Sequence, residues 1–127
     1  MDKKRILIID DEKEFLDMVE IGIARTGKYE VIALLSAKEI LSQVQRINPD
    51  LIVVDLLMPS IGGIEVCEIL NDDASTKNIP IIVLSALDKE VDKLKAYKQG
   101  VVDYLVKPIS VDTLVAKIEK ALEYKSI

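Results

Sequence analysis

The sequence predicts an α/β fold, a doubly wound parallel sheet of five strands, each followed by a helix. Three observations lead there. Aliphatic runs and helical patterns alternate from end to end. The runs are short and rich in Val, Ile and Leu without the strict alternation of a half-exposed sheet, as expected for strands covered on both faces. Residues that open or close helices stand between them.

The strands read as Arg5–Ile9, Tyr29–Leu34, Leu51–Val54, Pro80–Leu84 and Val102–Val106. Asp11 with Glu14 has the spacing of an N-cap and capping box for a first helix reaching about Arg25 and ended by Gly27. Ser36 with Glu39 repeats that spacing for a helix to Arg46, stopped near Pro49. Such a cap contributes about 1 kcal/mol. Ile64–Leu70 is a shorter helix, and Asp88–Gln99 a charged one closed by Gly100. The last helix runs from Ser110 to about Tyr124, with Leu114, Ile118 and Leu122 on one face. This (βα)₅ succession calls for right-handed crossovers, and the flavodoxin-like strand order 2-1-3-4-5 is the simplest arrangement. Residues 1–127 read as a single domain, with no linker or repeat.

Composition narrows the chemistry. Of 127 residues, 50% are hydrophobic and 31% charged, and the formal net charge is −5, which argues against nucleic-acid binding by the domain itself. No apolar run approaches a membrane span, and the aspartates after Ile9 interrupt the first one too early for a signal peptide. A cytoplasmic location is expected. The single cysteine, Cys67, excludes an internal disulfide, and the chain has no histidine. Histidine-assisted nucleophiles, histidine-ligated zinc and a phosphohistidine formed within the chain are thereby excluded.

In open sheets of this kind, ligands bind beyond the carboxyl ends of the strands, where the order reverses. The first strand ends in Asp10-Asp11, the third in Asp55, the fourth in Ser85-Ala86 and the fifth in Lys107-Pro108. Each alone has a plain structural reading as a cap, turn or surface charge. Together they bring carboxylates, a hydroxyl and an ammonium to one crevice. Two like charges about 4 Å apart repel by roughly 4 kcal/mol at an effective dielectric near 20. An oxygen-preferring dication is the natural counter-ion, and Mg²⁺ keeps room for phosphate oxygens.

The segments "ILIIDDE", "PDLIVVDLLMP", "IPIIVLSA" and "DYLVKP" stand in the order and spacing of a known family. The chain resembles a receiver domain of two-component response regulators over nearly its whole length. The resemblance implies a phosphoaspartate switch rather than a turnover enzyme. Asp55 would be the phosphoacceptor, becoming 4-aspartylphosphate, and Asp10 and Asp11 the acidic metal pair. Asp55 and the Leu57 carbonyl would complete the ligands of Mg²⁺, with Mn²⁺ as a substitute. Ser85 would be the switch hydroxyl and Lys107 the phosphoryl contact. Tyr104 would turn from exposed to buried, and the Lys107–Pro108 bond would be cis. The implied partners are a sensor histidine kinase or histidine phosphotransfer protein and a downstream protein or output domain at the face of helix 4, strand 5 and helix 5. The implied oligomeric state is a monomer or a phosphorylation-dependent dimer.

Some positions depart from the usual pattern. Ser85 stands for threonine, Ile109 for phenylalanine, and Gly62 for an acidic or amide residue, which predicts a looser loop. Val101-Val102 replaces small or polar residues and reads as strand packing, with an apolar patch as the alternative. A non-phosphorylated pseudo-receiver of the same fold is the main rival, but such modules typically lose an acidic residue or the lysine. A flavodoxin-like cofactor carrier would need a phosphate loop where Asp10-Asp11 stands. An aspartate-based phosphatase would need an acid at Leu57.

Overall fold

A computed structural model describes residues 3–126, with side chains as far as residue 123. Its strands are β1 (Lys4–Ile9), β2 (Tyr29–Leu34), β3 (Leu51–Val54), β4 (Ile81–Ser85) and β5 (Asp103–Val106), all parallel in the order β2-β1-β3-β4-β5. The helices are α1 (Lys13–Ala24), α2 (Ile40–Ile47), α3 (Gly63–Asn71), α4 (Glu90–Lys98) and α5 (Val111–Ser126). This is the predicted doubly wound architecture. Met1, Asp2 and Ile127, part of the span read as one domain, lie outside the described residues.

The uninterrupted aliphatic strands are explained by two cores, one on each face of the sheet. Ile6 and Ile8 point to the side of Leu16, Val19 and Ile23 of α1 and Leu114 and Ile118 of α5. Leu7 and Ile9 point to the side of Val44 of α2, Val66 and Leu70 of α3 and Ala96 of α4. With both faces covered, the period-2 geometry of a strand no longer demands polar residues at alternate positions.

Helix starts are where the structure departs from the sequence reading. The residue at the head of α1 is Glu12, which makes no side-chain cap bond, so Asp11 stands one residue too early to cap. The carboxylate that ties this turn is Asp10, whose Oδ1 accepts the Glu12 N–H at 3.0 Å. Helix α2 begins at Ile40 because Ser36 Oγ accepts the Lys38 N–H and Glu39 takes a left-handed φ of 57°. The Ser36–Glu39 spacing therefore makes a turn, not a capping box. At α5 the hydroxyl cap forms: Ser110 Oγ accepts the Thr113 N–H at 3.1 Å. Helix ends follow the glycines more closely, with Gly27 at φ 72° and Gly100 at φ 84° beyond α1 and α4. Val102 precedes β5 and is 46% exposed, whereas Val101 is buried. The strand-packing reading thus holds for Val101, while the Val102 side chain faces outward even though its N–H donates to Ile81 O of β4 at 2.8 Å.

Cys67 is fully buried in α3, and burial pushes its thiol pKa up to about 11. At pH 8 only about one thiol in a thousand would be ionised even if reagent reached it. In native protein, alkylation of Cys67 by iodoacetamide at pH 8 should proceed no faster than unfolding, and urea should expose it fully. Rapid native labelling would contradict this packing.

Candidate functional site

The strand order brings the ends of β1 and β3 side by side, and β4 and β5 follow on the β3 side. Backbone bonds continue the sheet into the crevice: Asp55 N–H donates to Ile9 O at 3.1 Å and Lys107 N–H to Ser85 O at 2.9 Å. Asp10, Asp55 and Ser85 are 2%, 5% and 0% exposed, while Asp11 is open to solvent. One carboxylate oxygen from each of Asp10, Asp11 and Asp55 lies within 4.8 Å of the others. Lys107 Nζ lies 2.7 Å from Asp10 Oδ2, 3.2 Å from Asp55 Oδ2 and 3.2 Å from Glu12 Oε1. Asp10, Asp11, Asp55 and Lys107 therefore meet in one place, and Ser85 adjoins Lys107 through the backbone bond between their strands, its hydroxyl accepting the Leu87 N–H.

The electrostatics are uneven. Burial is the largest influence on Asp10 and raises its carboxyl above the ordinary range, against the hydrogen bonds from Lys107 and the Glu12 N–H. Burial is also the largest single influence on Lys107, acting downward. The hydrogen bond to Asp10 and the charges of Asp55 and Asp10 nevertheless hold the ammonium well above the usual lysine range. The contact thus favours a charged lysine yet leaves Asp10 under-compensated, because one ammonium is shared among three carboxylates. An oxygen-donor set of this charge, with two of its three carboxylates buried, fits Mg²⁺.

Local backbone structure fixes the groups. Asp55 Oδ1 accepts the Leu57 N–H at 3.0 Å, which sets the carboxylate's orientation. Gly63 opens α3 directly beneath this segment, its N–H donating to Leu56 O at 3.1 Å. A Cβ at Gly63 would sit 2.6 Å from Asp55 O and 2.9 Å from Leu56 Cα, so only glycine permits that approach. The glycine pair thus closes a loop that the Gly63–Leu56 bond ties back to the segment after Asp55. Ser85 Oγ accepts the Leu87 N–H at 3.3 Å, and the Tyr104 hydroxyl donates to Leu87 O at 2.7 Å. Tyr104 is 7% exposed, so its side chain already occupies the inward position. The Lys107–Pro108 bond is cis. Leu57 is exposed at the mouth and Leu87 half-buried.

Sequence reading missed Glu12, Phe15 and Gly63 as neighbours of the site. Glu12 reaches Lys107, and the Phe15 ring centroid lies 4.4 Å from Lys107 Nζ. The Asp10–Phe15 spacing across a strand-to-helix turn carried no chemical signal of its own.

Residues 6–119 match the response regulator receiver domain family. The chain is 36% identical over 118 residues to the DNA-binding dual master transcriptional regulator RpaA of a Synechocystis strain, covering 93% of this chain and 48% of that protein. It is 35% identical over 124 residues to the alkaline phosphatase synthesis transcriptional regulatory protein PhoP of Bacillus subtilis, covering 98% and 50%. It thus spans about half the length of these curated relatives. Among solved structures, it is similar to a CheY-like response regulator receiver domain protein of Methanospirillum hungatei (TM-score 0.90, 25% identity, 98% of each chain). The receiver domain of Francisella response regulator 1452 is similar too (TM-score 0.87, 31% identity, 96% of this chain and 98% of that one). Among the described residues, no helix is long and apolar enough to cross a membrane.

The raised Asp10 value adds stability only while that carboxyl is protonated, and the contribution is lost as pH rises through its folded-state value. Metal binding has the opposite sense, because it needs the carboxylate. In urea denaturation at pH 7, Mg²⁺ at about 100 times its dissociation constant should stabilise the fold by about 2.7 kcal/mol over EDTA. Asp11→Asn should remove most of that gain, and the gain should shrink as the pH falls through the range where Asp10 takes up its proton. An undiminished gain in Asp11→Asn would put the ion elsewhere.

Proposed function

The chain belongs to the response regulator receiver domain family, and from that premise we propose that Asp55 accepts a phosphoryl group from a partner's phosphohistidine. The observation that carries this reading is the meeting of Asp55 with Lys107 and the acidic pair in one crevice. A carboxylate oxygen of Asp55 attacks phosphorus in line, forming the P–O bond of an aspartyl phosphate. The P–N bond to the partner's imidazole breaks, and the departing nitrogen takes a proton. With no histidine in this chain, the donor comes from outside it: the phosphohistidine of a sensor histidine kinase or a histidine phosphotransfer protein, or a small acyl phosphate.

Lys107 supplies positive charge to the equatorial oxygens, and the Ser85 hydroxyl donates to one of them once it leaves the Leu87 N–H. Asp10, Asp11 and Asp55, with the Leu57 carbonyl, would hold Mg²⁺ or Mn²⁺, which neutralises phosphoryl charge when bound. Self-catalysed phosphoryl transfer and hydrolysis, with Asp55, Lys107 and Ser85 as the participating groups, complete the switch.

Tyr104 is the readout. Its hydroxyl is bound to Leu87 O, and Leu87 N–H is bound to Ser85, so a move of Ser85 toward a phosphoryl oxygen reaches Tyr104 through one residue. The inward ring is the position assigned to the phosphoryl form, so the phosphate acts by locking Tyr104 there. Moving a population from 1:99 to 99:1 takes about 5.5 kcal/mol. A few charge-assisted hydrogen bonds at about 1.5–3 kcal/mol each suffice. The surface that responds is the α4–β5–α5 face, where Val91, Leu94, Tyr97 and Val102 are exposed. A downstream protein or an output domain docks there, and phosphorylation-dependent dimerisation uses the same face. The domain itself, at a net charge of −5, leaves nucleic-acid contact to such an output partner. It acts in the cytoplasm as a single receiver domain.

Incubation with a small acyl phosphate and Mg²⁺ should give about one hydroxylamine-labile phosphate per chain, and Asp55→Asn should reduce it to background. No label on the wild type, or full label on Asp55→Asn, would overturn the assignment.

A further inference from the structure

Lys107 has partners of two kinds. Asp10 and Asp55 contact its ammonium and also belong to the acidic cluster that fits a dication, so they are claimed twice. Glu12 and the ring of Phe15 lie outside that cluster. Phe15 is the sole phenylalanine of the chain, and nothing in the phosphoacceptor chemistry uses it. It is half-buried in the first turn of α1, packs against the core on the α1–α5 side, and turns its ring toward Lys107 Nζ at 4.4 Å.

An aromatic face attracts an ammonium within about 6 Å of its centroid through the ring quadrupole. It differs from a carboxylate in one respect that matters here. A carboxylate consumes N–H donors, and lysine has only three of them. A ring face holds the charge from one side and leaves the donors free for an anionic oxygen. Lys107 is already drawn to three carboxylates, so a partner that restrains it without occupying its donors has a distinct use.

We propose that Phe15 is a positioning residue, whose ring holds the Lys107 ammonium at the crevice while Asp10 and Asp55 are otherwise engaged. Lys107 then stays within reach of a phosphoryl oxygen. The proposal deepens the phosphoacceptor reading above and rests on it for the identity of the ligand.

The test uses the full chain, with Phe15→Leu to remove the ring while keeping an apolar side chain, and Phe15→Tyr to restore a ring. Without metal or phosphoryl mimic, the Lys107 side-chain methylene resonances should be shifted upfield by the ring, lose that shift in Phe15→Leu and keep it in Phe15→Tyr. With Mg²⁺ present, beryllofluoride serves as the probe. Phe15→Leu should bind it about fivefold more weakly, Phe15→Tyr within twofold of wild type, and both variants should keep the wild-type Mg²⁺ affinity. Unchanged beryllofluoride affinity in Phe15→Leu would overturn the proposal, as would equal weakening in both variants, since that would make packing the cause. If wild type binds no beryllofluoride, the phosphoacceptor reading fails. The methylene shift then decides by itself whether Phe15 holds Lys107.

Discussion

The Lys107 ammonium lies 2.7 Å from Asp10 and 3.2 Å from Asp55, and both carboxylates are almost sealed from water. Removing a carboxylate from water costs several kcal/mol unless its charge is compensated. One lysine cannot compensate two buried carboxylates and a third, exposed one nearby. The raised Asp10 value is the sign of that shortfall. The crevice is therefore built to accept additional positive charge, and a dication that fills the shortfall leaves the lysine free for an anion.

The rest of the fold can be understood as what keeps this imbalance in place. Two hydrophobic cores clamp the sheet from either side, so the strand ends cannot splay apart to relieve repulsion. The parallel register sets Ile9 beside Val54, which puts the two aspartates after them at neighbouring positions. Gly63 lets α3 close against the Asp55–Leu56 backbone at a distance no other residue tolerates. Glu12 and Phe15, from the β1–α1 turn that also carries Asp10, add a carboxylate at 3.2 Å and a ring face at 4.4 Å to the surroundings of the lysine.

Much of this was legible in the chain. Uninterrupted aliphatic runs such as Ile6–Ile9 and Leu51–Val54 gave away the doubly covered strands, because nothing polar is tolerated on either face. Asp10, Asp55, Ser85 and Lys107 were findable because each follows or ends an aliphatic strand, and topology brings strand ends together. The helix starts were less legible. Asp11 and Ser36 have the residue types of caps, but Asp10 takes the turn at Glu12 and Ser36 spends its hydroxyl on Lys38, choices made by tertiary position. Val102 read as strand because it is β-branched, yet the pairing of β5 with β4 starts at Asp103. Phe15 and Gly63 were invisible as site neighbours, since a ring facing a cation and a missing Cβ against a carbonyl are facts of space rather than of spacing.

In the proposed phosphorylated state, Lys107 and Ser85 both exchange their present partners for a phosphoryl group on Asp55. A crystal structure of the protein with Mg²⁺ and beryllofluoride tests it most directly. Beryllium should be bonded to an Asp55 oxygen, with Lys107 Nζ on a fluorine. Ser85 Oγ should have turned from the Leu87 N–H to a second fluorine, with Tyr104 still inward. Lys107 remaining on Asp10, or Ser85 remaining on Leu87 with beryllium bound at Asp55, would contradict it.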